Sequence, residues 1–205
     1  METGERAKTL RLDIGVQYME RISFSLRCAL IVDLLTKLRE RNSWCGETHV
    51  QKAMYISQDI AKANFGYKFI MYKHGPSSFD LKDELAAMCA NSIIELAFPQ
   101  QGYGPSIHVT EFGKRIFDAH RENIENYRLV NDFVARWLAG SDVVNLEKIA
   151  TAYYVTMKNP RAPIIERAKS VHFLKPHVDI ASAEEVIKVV DQKRAQAKRE
   201  ISASA

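Results

Sequence analysis

The longest break in an otherwise helical chain falls between Ile93 and Thr110. Two short apolar runs, Ile93 to Phe98 and Ser106 to Thr110, flank the string Pro99-Gln100-Gln101-Gly102-Tyr103-Gly104-Pro105. Two glycines and two prolines between alternating segments predict a β-hairpin with a loop of about seven residues. Upstream of it the apolar residues recur at three and four. Cys28, Ile31, Val32, Leu35 and Leu38 form one stripe, beginning at Leu26 and ending near Arg41. Asn42, Ser43 and Gly46 read as a turn, and Thr48 is placed to cap a second helix through about Ala63, closed by Asn64 and Gly66.

From Tyr67 to Lys73 the period changes to two, which predicts a short strand, followed by a turn at His74-Gly75-Pro76-Ser77-Ser78. Ser77 with Asp80 fits a capping box, so a third helix should run to about Ala90 and bury Leu81, Leu85 and Met88. Thr110 opens a helix after the hairpin. Further helices follow, one over Ile124 to Trp137, one over Leu146 to Met157 ended by Pro160, and a shorter one over Pro163 to His172. Ser182 with Glu185 begins the last, whose basic end is expected to fray. The expected fold is therefore mainly α with a small β-hairpin (α+β): a winged helix-turn-helix core plus a C-terminal helical appendage. The expected divisions are an N-terminal extension over 1–25, a winged-helix domain over 26–120, a helical subdomain over 121–190 and a basic tail over 191–205.

Several residues in this order have a familiar look. Val50-Gln51-Lys52-Ala53-Met54-Tyr55, Phe65-Gly66-Tyr67-Lys68-Phe69, Tyr72-Lys73-His74-Gly75-Pro76-Ser77-Ser78 and Leu81-Lys82-Asp83-Glu84-Leu85 resemble the YwgA-type bacterial and archaeal winged-helix proteins. The similarity to the Panacea antitoxin domain is more distant and rests on a lysine-glutamine-lysine helix followed by a tyrosine-glycine-proline strand end. Ile149 to Tyr154 and Phe173 to His177 extend the likeness to roughly Leu26 to Val190. The chain departs from the pattern in its first residues and at Val50. The resemblance implies the fold and a placement beside mobile-element, restriction or defence genes for the first group, and neutralisation of partner toxins for the second.

Composition narrows the function classes. No stretch nears the roughly 20 apolar residues of a membrane span, and Met1 to Arg11 lacks the apolar core of a secretory signal, so a cytoplasmic protein is expected. Cys28, Cys45 and Cys89 cannot all pair and none is spaced as C-x-x-C, which argues against a disulfide framework or a thiolate zinc site. His172 and His177 are the nearest histidines, but Pro176 intervenes and they do not share a helix face; no metal or cofactor is expected. The net charge is +4, and Lys188 to Glu200 holds five bases against two acids, leaving the rest of the chain at +1. A body this neutral offers no global attraction for nucleic acid.

The candidate site follows from the winged-helix reading. Lys73 and His74 precede Ser77 and Ser78 at a helix start, where free amides and the helix dipole could hold an anion, although the same serines could simply cap the helix. The third helix stands where a recognition helix would, yet its outward charges are read as Asp80, Lys82, Asp83 and Glu84, a balance of −2 that repels phosphate. The hairpin loop offers Gln100, Gln101 and Tyr103 but no Arg or Lys. Gly102-Tyr103-Gly104 starts like a dinucleotide fingerprint but lacks the third glycine. No catalytic constellation is found, since Asp80, Asp83 and Glu84 have no nucleophile or phosphate loop beside them. The expected function is a non-enzymatic module that binds and regulates a macromolecule, with a protein partner favoured. Duplex DNA bound by a homodimer is the alternative, and a nuclease or hydrolase is the third reading.

Overall fold

The computed structural model describes residues 22–98 and 104–202. Their elements run α1 (Phe24–Glu40), α2 (Glu47–Ala61), β1 (Ile70–Tyr72), β2 (Gly75–Ser77), α3 (Phe79–Ala90), β3 (Ile94–Ala97), β4 (Ser106–Val109), α4 (Glu111–His120), α5 (Glu125–Leu138), α6 (Val143–Lys158), α7 (Ile164–Leu174) and α8 (Ile180–Ser202). The protein is mainly helical, with two separate two-stranded antiparallel sheets. Among the described residues no helix is long and apolar enough to cross a membrane.

Helix α1 is the axis of the fold. Ser23 caps it by accepting from the Leu26 amide, so it starts ahead of Leu26, and every residue from Arg27 to Leu35 is buried. Such a helix has no solvated face and must be wrapped by others; α4 and α5 lie on it, and α2 packs against α5 and α6. One continuous core links Cys28 on α1 to Ala197 on α8. The 26–120 and 121–190 segments thus share their interior. Asp33, buried at the heart of α1, is held by Lys37 at 2.9 Å and Asn131 at 3.0 Å. The three cysteines are free thiols, and burial pushes Cys28 up to about 12.

Several ends differ from the periodicity. The N-cap of α2 is Gly46, not Thr48, because Gly46 is drawn into an antiparallel bridge with Ser106, while the Ile107 amide donates to the Cys45 carbonyl at 3.0 Å. The helix closes at Lys62 in the left-handed region, before Asn64 and Gly66. The segment read as a turn at His74 to Ser78 supplies β2, which pairs Ile70 with Ser77 and Tyr72 with Gly75. The capping box at Ser77 and Asp80 does not form. Ser78 is the N-cap of α3, and Asp80 instead accepts from the Lys68 amide. Glu84, read as an outward charge, is buried (7% exposed) and takes three contacts from the Arg27 guanidinium at 2.6–3.0 Å and one from the Tyr67 hydroxyl at 2.7 Å.

The expected β-hairpin is present as β3 and β4, with Ile94 opposite Val109 and Ala97 opposite Ser106. Thr110 caps α4 through the Gly113 amide. A Cβ on Gly113 would fall 2.2 Å from the Ile93 carbonyl oxygen, so only glycine lets α4 lie this close to the hairpin. The last helix continues through its basic end as far as the described residues go. It begins at Ile180, with Asp179 accepting from the Ser182 amide, and remains helical to Ser202 because Ala197 is buried and Arg136 reaches Glu200 at 2.7 Å.

Candidate interaction groove

The β1–β2 hairpin carries Lys73, His74 and Ser77 of the predicted site, and it is held in place from below. Lys175, just past α7, reaches under the hairpin tip: its buried ammonium donates to the Tyr72 carbonyl at 3.2 Å, to the Lys73 carbonyl, and to Glu147 on α6 at 2.9 Å. Glu147 also faces His74 Nδ1 at 3.4 Å and His177 Nε2 at 3.6 Å. Burial opposes ionisation of Glu147, but Lys175, His74 and His177 outweigh it and hold the carboxyl below its ordinary range. Gly75, at φ +88°, sits so near the α6 backbone that a Cβ would meet Thr151 Oγ1 at 3.3 Å. The motif from Tyr72 to Ser78 is therefore a docked hairpin as well as a helix start.

Beside the hairpin, Lys52 on α2 is 3% exposed and donates to the Pro76 carbonyl at 2.9 Å. Gln51 brackets Ser78, accepting from its amide at 2.9 Å and donating to its carbonyl at 3.0 Å, while the Ser78 hydroxyl accepts from Leu81. All three polar groups of Ser78 are thus engaged inside the chain, and what this turn offers a ligand is Ser77. Lys73 and His74 are exposed at the hairpin tip, and Asp80, Lys82 and Asp83 are exposed on α3. With Glu84 internal, the outward charge of that helix is −1 instead of −2. Gln100, Gln101 and Tyr103 lie outside the described residues.

Three cavities converge on Glu47, at the first turn of α2. The first, about 190 Å3, runs between α2 and the hairpin, with Lys52, His74, Ser77, Phe79 and Lys82 on its walls. The second, about 160 Å3, shares Glu47 and Lys82 and is apolar, bounded by Leu85, Ala86, Ile94, Leu96 and Pro105 between α3 and the β3–β4 hairpin. The third, about 320 Å3, shares Glu47 and Pro105 and is bounded by Trp44, Val143 and Leu146. Along this trough Trp44, Tyr72, Phe79, Leu96 and Val143 are between 44% and 57% exposed. Tyr72 and Phe79 meet edge to face at 5.7 Å. Asp80, Asp83, Glu95 and Asp142 are exposed residues of the same elements or their caps, against Lys73 and Lys82.

The periodicity missed Lys52 and Glu147, because a charged residue in a helix reads as outward unless all faces of that helix are covered, and it missed Lys175 because a residue past a helix end carries no periodic signal. The one signal of the first two was position: Lys52 stands between Val50 and Ala53-Met54, and Glu147 follows Leu146. Among the described residues no three of His, Cys, Asp and Glu converge as a metal-binding group. Compared with known proteins, the chain matches no family model and no curated protein sequence.

Proposed function

We propose that this chain is a non-enzymatic winged-helix binding module that regulates a protein partner through the trough around Glu47. The observation that carries the reading is the row of exposed Trp44, Tyr72, Phe79, Leu96 and Val143 flanking contiguous cavities. Half-exposed aromatic and aliphatic side chains beside apolar hollows are the composition of protein-binding hot spots. The order α1, bridge at Gly46, α2, α3, then the β3–β4 hairpin supports a winged helix in which the β1–β2 hairpin is an insertion before the third helix. In that frame the trough occupies the space beside the third helix and the wing.

The surface chemistry favours protein over duplex DNA. Helix α3 presents two carboxylates and one ammonium, and the apolar row would have to be desolvated against phosphate. The antitoxin-like or defence-associated setting rests on the resemblance alone. The test is a pull-down with the full chain as bait in a cell extract of its source, paired with Phe79→Ser and Leu96→Ser. A stoichiometric protein lost with both variants is the expected result. Tight duplex binding whose salt slope is flattened by Lys73→Ala or Lys82→Ala would overturn it and favour a DNA-binding homodimer.

A further inference from the structure

The cavity beneath the β1–β2 hairpin has a chemistry of its own, separate from the apolar trough it opens into. We propose that it is a receptor for a small oxyanion, a phosphate or carboxylate group borne by a compact molecule, with Lys52 as its central cation. This assignment does not rest on the protein-binding reading.

Lys52 is the anchor. Lys52 is 3% exposed, and the Pro76 carbonyl at 2.9 Å is the one hydrogen-bond acceptor its ammonium has among the described residues, which leaves N–H donors for a further acceptor. A buried ammonium left so poorly satisfied is costly unless a further acceptor reaches it. The wall it belongs to also carries the exposed Lys82, the half-buried hydroxyl-bearing Ser77 and Thr48, and His74, whose Nδ1 is turned to Glu147. Tyr72 and Phe79 line the same cavity and meet edge to face, an apolar corner against which a flat ligand body can lie. About 190 Å3 suits a molecule no larger than a substituted ring.

The surrounding charges leave room for an anion. From α6, Glu147 faces Lys52, but that carboxylate is already engaged by Lys175, His74 and His177. From α2 itself Glu47 lines the cavity at its open side, and from α3 Lys82 lines it too. Three lysines, Lys52, Lys82 and Lys175, thus stand against two carboxylates, and an entering oxyanion restores the balance. Burial lowers Lys52 to about 8, against the pull of Glu147, so below that value the amine is charged and can hold an anion. The phosphate-like feature that Ser77 suggested in the sequence becomes specific only with this lysine, which comes from a helix 25 positions earlier.

The experiment uses the full chain and two probes, phenyl phosphate and benzoate, each titrated at millimolar concentrations while backbone amide resonances are followed by NMR. Shifts concentrated at Thr48, Gly75 and Ser77 are expected with at least one probe, and whichever binds more tightly assigns the anion as phosphate or carboxylate. Lys52→Met should weaken binding at least tenfold. Affinity in the wild type should fall about tenfold between pH 7 and pH 9 as the amine loses its proton. If Lys52→Met does not fold, Ser77→Ala combined with Lys82→Gln takes its place and should weaken binding at least threefold. No localised shifts with either probe, or affinity unchanged in the variant that folds, would overturn the assignment.

Discussion

Ionisable side chains inside this protein are held in two different ways, and each has a measurable consequence. His49, 5% exposed, meets Ser43 Oγ through Nδ1 at 2.8 Å, while Nε2 faces the Leu138 carbonyl without completing a hydrogen bond. Burial lowers its imidazole from 6.5 to about 4, against a smaller upward pull from that carbonyl. The unfolded chain therefore takes up the proton first, so stability is full above about 6.5 and is lost as the pH falls towards 4. Urea unfolding at pH 7 and pH 5 should show a loss of about 2 kcal/mol traceable to this residue and absent from the difference measured for His49→Gln. Glu84 is different in kind, because its charge is answered in place by Arg27 and by Tyr67, whose hydroxyl burial and Glu84 hold well above the phenolic range. Glu84→Ala would strand a buried guanidinium and should cost about 3–5 kcal/mol, whereas Arg27→Met with Glu84→Leu together should cost much less. The same chemical denaturation series separates the two.

Between elements, close approach matters more than side-chain identity. Gly113→Ala drives a methyl group into the Ile93 carbonyl, so α4 must lift away from the start of β3. A loss of about 1–3 kcal/mol is expected in the melting curve, with amide exchange accelerated first in β3 and β4. The hairpin made by β1 and β2 depends instead on polar anchoring. Glu147→Ala should leave Lys175 without its carboxylate and raise exchange at Lys73 to Gly75, with little effect at β3. These contrasts mark what the sequence could reveal. The apolar stripes of α3 and α5 were legible because each helix turns one dense face to a shared core, those of α1 and α6 because their apolar residues still recur at three and four although these helices are covered on several sides, and β3 and β4 because proline and glycine bracket their loop. Strand β2 was not, since Gly75-Pro76-Ser77 has turn composition and becomes a strand only in pairing with β1, with Lys52 gripping the Pro76 carbonyl. The choice of Ser78 over Ser77 as cap was likewise decided at a distance, by Gln51 reaching both backbone groups of Ser78. Within the site, His74, Ser77 and Lys82 were readable from local pattern, while Lys52 required knowing that α2 is covered on nearly every side.

For the whole molecule, one interior spanning α1 to α8 predicts one unfolding transition. Its two tryptophans make this testable: Trp44 sits beside the β3–β4 hairpin, donating to the Gly104 carbonyl, and Trp137 packs on Phe133 and Tyr153. Trp44→Phe and Trp137→Phe should give coincident denaturation midpoints once each is referred to its own stability; separate midpoints would show two independent units. Deleting residues 191–205 removes the Arg167–Asp191 pair at 2.7 Å, the Arg136–Glu200 pair and the buried Ala197, and should destabilise the entire protein, not its end alone. The grip of Lys175 on the Tyr72 and Lys73 carbonyls reaches further, because about a hundred positions of chain separate them. On a ribosome the hairpin would emerge long before the lysine that steadies it. A nascent copy that stops short of Lys175 would carry the hairpin without its anchor, so the docked form of this segment can be reached only after Lys175 has been made.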